Sequence, residues 1–444
     1  MSAAAPWLRR LDARREGFAA ALETLLHWDI TESSAVNDAA AKIIARVRQE
    51  GPAALLALTA EFDRVEAASL AELALTPADF EAAFRALSPE QRDSLQQAHD
   101  RIERYHLAQR QEDFEIEDEY GNRLGQRITP MDRVGVYVPG GQAAYPSTVL
   151  MTAVPARVAG VREIIMTVPT PGGVRNPLVL GAAHLAGVTQ GFTLGGAQAI
   201  AALAYGCEPV PRVDKIVGPG GAFVAAAKRL VYGQVGIDAI AGPSEILILA
   251  DASADPRWLA LDLFSQAEHD AAAQALLVSP DPQVVEAVAA AIDELLPAQP
   301  RAELIRQSLG ARGALMVCAD LAQAVAIANR IAPEHLQLAV AAPRALLPEL
   351  RHAGAVFLGV YSAEVMGDYV AGPSHVLPTF GTARFSSPLG VYDFVKRSSL
   401  IELSAAGADA LGRLSGVLAD GEGLHAHAAA ARARIPGYDR NRER

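Results

Sequence analysis

The segment Val134-Gly-Val-Tyr-Val-Pro-Gly-Gly141 shows the pattern on which the middle of the chain is built. Its apolar part, Val134–Val138, has the length and the β-branched composition of a buried strand. The Pro-Gly-Gly that follows predicts a tight turn, and a helical stretch begins near Thr148. Further apolar runs with the same setting are Ile164–Val168, Phe192–Leu194, Lys215–Val217 and Ile246–Leu249. Repeated strand–helix units of this kind predict a parallel, doubly wound sheet with right-handed crossovers.

A second series of strand–helix units follows Asp255-Pro256. Its apolar runs are Leu276–Val278, Ala314–Val317, Leu336–Val340 and Ala355–Leu358, and they alternate with helical segments such as Leu321–Ile331. The chain therefore predicts two similar α/β domains. Ahead of both series, Phe114–Ile116 and Leu124–Ile128 alternate around Tyr120-Gly-Asn122, which predicts a hairpin. Beyond about Pro388 the pattern predicts helices.

The composition is that of a globular protein and argues against several classes of partner. The chain has 444 residues, more than one hydrophobic core usually organises, and its formal net charge is −12. A negative charge argues against binding to nucleic acid or to an anionic membrane surface. Cys207 and Cys318 form no CxxC pair, and no apolar run has the length of a signal sequence or a membrane span. We expect a cytoplasmic protein without nucleic-acid or membrane partners.

The best candidates for acid–base chemistry are Glu334 and His335, in Ala332-Pro-Glu-His-Leu336. Pro333 cannot continue the helix predicted over Leu321–Ile331, so the pair is expected in a turn before a buried strand. Histidine suits proton transfer near neutral pH, and a neighbouring Glu can tune it or take a second proton. The alternative is that both are polar residues that only cap the strand.

Glycine-rich joints follow several strands of the first series. They are Pro139-Gly-Gly141, Gly195-Gly196, Gly218-Pro-Gly-Gly221 and Gly242-Pro-Ser244. Glycines there let the backbone approach a pyrophosphate, and the helix that follows offers free N–H groups. Because no GxGxxG motif is present, a dinucleotide site and simple tight connections both remain open.

Several His, Asp and Gln residues are candidates for a metal site. Gln266 and His269 are three residues apart and can share one helix face. The later candidates are Asp368, His375, His425 and His427. His and Asp are ordinary zinc ligands, whereas Gln is a weak ligand that suits a metal that must admit substrate. No compact local motif joins these residues, so each can equally be an ordinary polar group, and His425 competes with His427 on spacing.

Nine short motifs occur in order along nearly the whole chain. They are Gly135–Gly141, Ala144–Ser147, Gly195–Gln198, Val213–Ile216, Ala241–Glu245, Ser265–His269, Ala332–Leu336, His375–Thr379 and Glu422–Leu424. With these motifs at compatible spacing, the chain resembles the histidinol dehydrogenases. The resemblance implies an NAD- and zinc-dependent enzyme of histidine biosynthesis. Such an enzyme oxidises L-histidinol to L-histidine through L-histidinaldehyde in two hydride transfers.

The resemblance also assigns roles to individual residues. It implies that Glu334 and His335 are the proton-transfer pair. The implied ligands of one Zn²⁺ per subunit are Gln266, His269, Asp368 and His427. The implied substrate contacts are Ser244, Gln266, His269, His335, Asp368, Glu422 and His427. The implied NAD contacts are Tyr137, Gln198 and position 221. Relatives usually have Asn at position 221, and Gly221 removes that side-chain contact but leaves backbone N–H groups.

The family's fold implies two aldehyde-dehydrogenase-like α/β domains, small helical terminal domains and a homodimer in which the C-terminal segment completes the partner's site. The expected divisions are an N-terminal helical arm, 1–30; a discontinuous first α/β domain that carries most catalytic and metal residues, 31–133 and 246–388; an NAD-binding second α/β domain, 134–245; and a helical dimerisation segment, 389–444.

Two other functions remain possible from the residues alone. One is a paralogous zinc and NAD dehydrogenase of another small polar alcohol, against which the matches at Tyr145-Pro-Ser147 and Glu422-Gly-Leu424 argue. The other is a non-catalytic zinc-binding protein of the same fold. The presence of both Glu334 and His335 argues against that second alternative.

Overall fold

The computed structural model describes residue 5 and residues 7–27, 34–140 and 144–438. The chain forms two compact units, and strands and helices are numbered here in chain order. The larger unit comprises Met1–Gln109 and Met131–Phe394, and the smaller comprises Arg110–Pro130 and Val395–Arg444. No helix among the described residues is both long and apolar enough to cross a lipid bilayer.

The larger unit contains two six-stranded sheets, called sheet I and sheet II. Every strand pair in sheet I is parallel. In spatial order its strands are β1 (Arg9–Asp12), β12 (Ala314–Val317), β11 (Gln274–Ser279), β10 (Glu245–Ala250), β13 (His335–Ala339) and β14 (Ala355–Leu358). Its helices are α1 (Phe18–Leu26), α10 (Pro256–Ala267), α11 (Pro282–Leu295), α12 (Ala302–Arg312), α13 (Leu321–Ile331) and α14 (Glu364–Tyr369).

Sheet I is buried on both faces. Its central strands carry apolar side chains that alternate between the two faces. Along β10, Ile246 and Ile248 pack into one core with α10, α11 and α12. Leu247 and Leu249 alternate with them and pack into the opposite core with α1 and α13. This double burial is what a continuous apolar run in a parallel sheet predicts.

Sheet II has five parallel strands and one antiparallel edge strand. In spatial order its strands are β2 (Ala74–Leu75), β7 (Gln190–Phe192), β6 (Glu163–Thr167), β5 (Arg133–Tyr137), β8 (Lys215–Val217) and β9 (Gly236–Ile237). One face packs against α4 (Pro77–Ala86), α5 (Pro89–Leu107), α6 (Pro146–Ala159) and α7 (Pro177–Ala186). The other packs against α2 (Ser34–Glu50), α3 (Pro52–Asp63), α8 (Gly196–Tyr205) and α9 (Ala222–Val231). The prediction of two parallel α/β sheets is confirmed.

The smaller unit combines an antiparallel sheet with two helices. Its strands, in spatial order, are β15 (Val395–Glu402), β4 (Arg123–Pro130) and β3 (Phe114–Glu117), and its helices are α15 (Ala405–Gly421) and α16 (His425–Arg432). The predicted hairpin over residues 114–128 is therefore present. The expectation of an all-helical segment over 389–444 is wrong at β15, because its eight residues pair with β4 through contacts distant in sequence.

Two other expected divisions differ from the structure. Residues 1–30 were expected as a helical arm, but Arg9–Asp12 form β1, which pairs with β12 at the edge of sheet I. Residues 31–133 were expected beside sheet I, but α2 to α5 pack on sheet II, and Ala74 of β2 pairs with Phe192. An apolar helix face shows that a helix is buried, but it does not show which sheet covers it.

Candidate active site at the amino ends of two central strands

Glu334 and His335 lie at the start of β13, in the middle of sheet I. Helix α13 ends at Ile331, Ala332 adopts a left-handed conformation with φ 53°, and Pro333 begins the turn that leads into the strand. This is the helix–turn–strand arrangement predicted around Pro333. Both side chains are buried, however, with 7% of Glu334 and 3% of His335 exposed. The burial means that proton transfer here would take place away from bulk water.

The neighbouring strand β10 fixes both side chains through its first residue, Glu245. The Nδ1 atom of His335 lies 2.9 Å from the main-chain oxygen of Glu245. The main-chain N–H of Glu245 in turn donates to Oε2 of Glu334 at 2.8 Å. Because a carbonyl oxygen only accepts hydrogen bonds, Nδ1 of His335 must carry its proton, and Nε2 faces the site.

Two carboxylates of α14 face Nε2 of His335. Oε1 of Glu364 and Oδ1 of Asp368 each lie 3.7 Å from it. This is ion-pair distance rather than hydrogen-bond distance, and Nε2 has no hydrogen-bond partner among the described residues. Helix α14 can approach this closely because residue 367 is glycine, where a Cβ would lie 2.6 Å from the ring of Phe357.

The site holds more buried acidic groups than basic ones. Burial raises the pKa of Glu334 to about 8 and those of Glu245 and Glu364 to about 7. Burial alone would lower the pKa of His335, but Glu334, Asp368 and Glu364 raise it to about 10. Burial opposes ionisation of Asp368 as well, yet the nearby His335 imidazole holds its pKa at about 2. Four carboxyl groups around one imidazole form a site that favours a cation.

The donor atoms in this region fit a divalent metal with nitrogen and oxygen ligands. Ligand atoms of His335, Glu364 and Asp368 lie within 4.8 Å of one another. Gln266, in the last turn of α10, is 1% exposed, and its Oε1 has no hydrogen-bond partner among the described residues. A buried amide oxygen without a partner is costly, and a metal ligand bond would satisfy it. His269 lies two residues beyond α10 and is exposed.

His375, one of the metal candidates, is occupied on both ring nitrogens. Its Nδ1 donates to the main-chain oxygen of Asp368 at 2.9 Å, and its Nε2 accepts from the hydroxyl of Thr148 at 3.2 Å. The ring therefore supports the turn of Asp368 and is not a free ligand. Thr148 lies in the first turn of α6, which follows β5. The contact thus joins the active-site residues of sheet I to the carboxyl edge of sheet II.

Two carboxylates of the site were not singled out from the sequence. Glu245 ends the motif Ala241–Glu245, and its Oε1 accepts from the main-chain N–H of Phe380 at 2.7 Å. Glu364 is 1% exposed, and its Oε2 accepts from the Ser265 hydroxyl at 3.2 Å. The spacing of Glu364 and Asp368, four residues apart on one helix face, was the signal that could have found Glu364.

The remaining predicted site residues, Glu422 as a substrate contact and His427 as a zinc ligand, belong to the smaller unit. Glu422 follows the end of α15, His427 lies in the first turn of α16, and both are exposed. His425 differs, since its Nδ1 lies 3.1 Å from Oδ1 of Asp420. That local contact leaves His427 as the more available of the two imidazoles. Ser244, predicted to contact substrate, is half-buried and directly precedes Glu245 at the start of β10.

The predicted cofactor residues lie at the carboxyl edge of sheet II. Tyr137 ends β5, and its hydroxyl accepts from the main-chain N–H of Gly196 at 3.1 Å. Burial raises the pKa of Tyr137 to about 12. Gln198, in the first turn of α8, is also buried, whereas Gly221 caps α9 and is exposed. The strand order reverses between β5 and β8, so the glycine-rich turns after these two strands flank the crevice where doubly wound sheets bind ligands.

Comparison with known proteins identifies the family. The family model described as histidinol dehydrogenase matches residues 28–435. The chain is 58% identical over 426 residues to a histidinol dehydrogenase of Chromobacterium violaceum, covering 96% of this chain and 98% of the relative. It is 56% identical over 432 residues to that of Pseudomonas syringae pv. tomato, covering 97% and 96%. The crystal structure of histidinol dehydrogenase from Elizabethkingia anophelis is similar, with a TM-score of 0.91, 31% identity and coverage of 97% of this chain and 98% of that one. The chain belongs to the histidinol dehydrogenase family.

Proposed function

We propose that this chain oxidises L-histidinol to L-histidine through L-histidinaldehyde, with two hydride transfers to NAD and one Zn²⁺ at each site. The observation that carries the proposal is the buried His335, whose Nδ1 is fixed by a main-chain oxygen and whose Nε2 has no hydrogen-bond partner among the described residues. Removal of hydride from an alcohol carbon requires a base for the hydroxyl proton. A rigid imidazole whose Nε2 makes no hydrogen bond meets that requirement in its neutral form, which a cation bound among the surrounding carboxylates would favour over the charged form.

His335 acts in both oxidations. In the first, Nε2 takes the hydroxyl proton of histidinol as hydride leaves the same carbon. In the second, the hydrated aldehyde presents a hydroxyl group at that carbon, and Nε2 takes its proton in the same way. The two steps share one base because the reacting carbon does not move between them.

Glu334 activates the water that adds to the aldehyde. Its carboxyl is oriented by the main-chain N–H of Glu245 and lies 3.7 Å from Nδ1 of His335. Burial raises the pKa of Glu334 to about 8, so it can both accept and release a proton near neutral pH. The burial of both groups also supports retention of the reactive aldehyde between the two steps.

Gln266, His269, Asp368 and His427 are the proposed zinc ligands. When bound, zinc supplies a fixed point that orients the substrate imidazole and amino group. The unpartnered Oε1 of Gln266 and the excess of carboxylates support this assignment. Ser244 and Glu422 are proposed to add further polar contacts to histidinol.

The NAD site is proposed at the switch point of sheet II. Tyr137, Gln198 and Gly221 are the proposed contacts. Tyr137 and Gln198 are buried, so they support the walls of the crevice, and Gly221 contributes its backbone N–H. Thr148, beside this crevice, hydrogen-bonds to His375, beside Asp368. This contact supports the proposal that NAD in the crevice lies close to the reacting carbon of the substrate.

A homodimer with exchanged C-terminal segments is part of the proposal. Leu414, Val417 and Leu418 of α15 follow helical spacing and are 61%, 68% and 69% exposed in one chain. An apolar stripe of this size on a small unit supports contact with a second copy. The partner's segment from the end of α15 into α16 would then bring Glu422 and His427 to the site. The two unbridged cysteines are in keeping with a cytoplasmic enzyme.

The proposal is tested by a substrate panel with the purified, zinc-loaded protein. NADH formation is followed with L-histidinol and with small amino alcohols that lack the imidazole. We expect strong preference for L-histidinol, because a metal-bound imidazole orients the carbon. Equal rates across the panel would instead favour a general dehydrogenase of polar alcohols.

A further inference from the structure

A buried ion pair lies beside the glycine-rich turn that follows β8. Lys228 of α9 and Asp238, just after β9, hydrogen-bond to each other, and their side chains are only 2% and 4% exposed. Nζ of Lys228 also donates to the main-chain oxygen of Gly218 at 2.9 Å. Oδ2 of Asp238 accepts from the main-chain N–H of the same glycine at 2.7 Å. The ion pair therefore hydrogen-bonds both the main-chain N–H and the main-chain oxygen of Gly218.

Gly218 is the residue at which the chain turns past the end of β5. Its φ is +112°, and a Cβ there would lie 2.1 Å from the main-chain oxygen of Tyr137. Only glycine fits this close approach. The strands β5 and β8 flank the switch point of sheet II. Because the Lys228–Asp238 pair holds Gly218 in place, it fixes one wall of the crevice at that point.

A contribution to folding stability alone does not explain why Lys228 and Asp238 form a buried ion pair. Burying two charges carries a desolvation cost, and an apolar pair of similar size is often as stable or more stable. The pair is also neutral as a whole, so it adds little net charge that would attract an anionic cofactor. What it does supply is geometry, since the turn 218–221 leads directly into α9 and carries Gly221. A backbone contact at Gly221 depends on the position of that turn, because no side chain is present to adjust it.

We infer that Lys228 and Asp238 are positioning residues that fix the Gly218–Gly221 turn for NAD. The inference rests on the proposed NAD site and deepens it. On this inference, the affinity for NAD depends on two side chains that are buried away from solvent. Substrate binding at sheet I and the acid–base groups of the reaction do not depend on them.

The test replaces both charges at once, in the double variant Lys228→Met with Asp238→Asn, so that no unpaired charge stays buried. NAD binding to the zinc-loaded protein is measured by titration calorimetry, together with steady-state kinetics. We expect the Kd and KM for NAD to rise about tenfold, the equivalent of one hydrogen bond to a charged group. The KM for histidinol and kcat should stay within about twofold.

The matched control removes another Lys–Asp pair at sheet II, whose side chains are 11% and 25% exposed. Lys215 starts β8 at its opposite end and donates to Oδ1 of Asp393 at 3.1 Å. The variant Lys215→Met with Asp393→Asn should lower the melting temperature without changing NAD affinity. An equal rise in the NAD Kd in both double variants would assign both pairs to general stability and overturn the inference.

Two further outcomes separate this inference from the proposed function. If the wild-type protein binds NAD and the folded Lys228/Asp238 variant binds it equally well, the inference alone fails. If the wild-type protein does not bind NAD, the proposed function fails and the inference with it. Should the double variant not fold, Lys228→Gln with Asp238→Asn leaves no buried charge, keeps neutral hydrogen-bonding groups beside Gly218 and should raise the NAD Kd about threefold. An unchanged Kd in that variant also overturns the inference.

Discussion

The Nδ1–H of His335 donates a hydrogen bond to the main-chain oxygen of Glu245 at 2.9 Å. The acceptor is a backbone atom at the start of a central strand, so the orientation of the ring is fixed by the sheet itself. The tautomer is fixed as well, and the basic nitrogen is directed toward Glu364 and Asp368.

Replacing His335 by Asn should abolish both oxidations. Loss of a general base costs about 100-fold or more, and here one base serves two steps. The zinc content, measured by atomic absorption, should stay at one ion per subunit because His335 is not a proposed ligand. His27→Asn, at an exposed histidine, is the control. Loss of only one half-reaction would show that the two steps use different bases.

Replacing Glu334 by Gln should slow oxidation of supplied L-histidinaldehyde about 100-fold and the alcohol step less than about tenfold. The amide oxygen of Gln can still accept from the N–H of Glu245, so the side chain keeps its place but loses its basicity. Only the aldehyde step consumes water. The measurement is single-turnover kinetics with each substrate, and equal losses would assign Glu334 a positioning role instead.

Removing the metal should inactivate the enzyme without unfolding it. Gln266 lies on α10, which packs into a hydrophobic core of sheet I that contains none of the proposed ligands, so the fold does not depend on the ion. A chelator, or His269→Ala, should remove zinc and activity while circular dichroism stays unchanged. Restoration by added Zn²⁺ completes the test. Full activity in metal-free protein would be incompatible with the proposed site.

Replacing Gly221 by Asn should tighten NAD binding. The position has φ −65°, nothing lies within 4 Å of a Cβ there, and Asn is a favoured helix N-cap. We expect the KM for NAD to fall about fivefold as a side-chain hydrogen bond is added. Gly121→Asn, at an open position in the hairpin of the smaller unit, is the control. A higher KM for NAD would show that Gly221 leaves room the cofactor needs.

Mixing two inactive variants tests the shared site. His335→Asn and His427→Asn are unfolded and refolded together, and random assortment makes about half of the dimers mixed. If His427 completes the partner's site, one site in each mixed dimer is intact and roughly a quarter of wild-type activity returns. No recovery, with mixed dimers shown by differential tags, would place each site within one chain.

Local sequence patterns predicted the strands and the position of the proposed catalytic pair, Glu334 and His335, well. The run Val134–Val138 is β5, displaced by one residue, because a buried parallel strand must be apolar on both faces. Helix α13 ends at Ile331, before Pro333, as expected from the conformational limits of proline, whereas His335, expected in the turn, is the first residue of β13. Both results depend on interactions between residues near in sequence.

Features that depend on distant contacts could not be predicted in this way. The pairing of Arg9–Asp12 with Ala314–Val317 joins two segments that are far apart in the sequence. No pattern in either segment identifies the other as its partner. Glu364 was missed because only its spacing to Asp368 marks it in the sequence, and that spacing does not show that the side chain is buried. The assignment of α2 to α5 to sheet II likewise depends on the three-dimensional arrangement of sheets that local periodicity does not encode.

The number of NADH molecules formed per L-histidinol tests the central claim most directly. Purified zinc-loaded protein is given limiting L-histidinol and excess NAD, NADH is counted by its absorbance, and the product is identified by mass spectrometry. The account predicts two NADH per substrate and L-histidine as the product. One NADH per substrate with accumulation of L-histidinaldehyde, or no NADH at all, would contradict it.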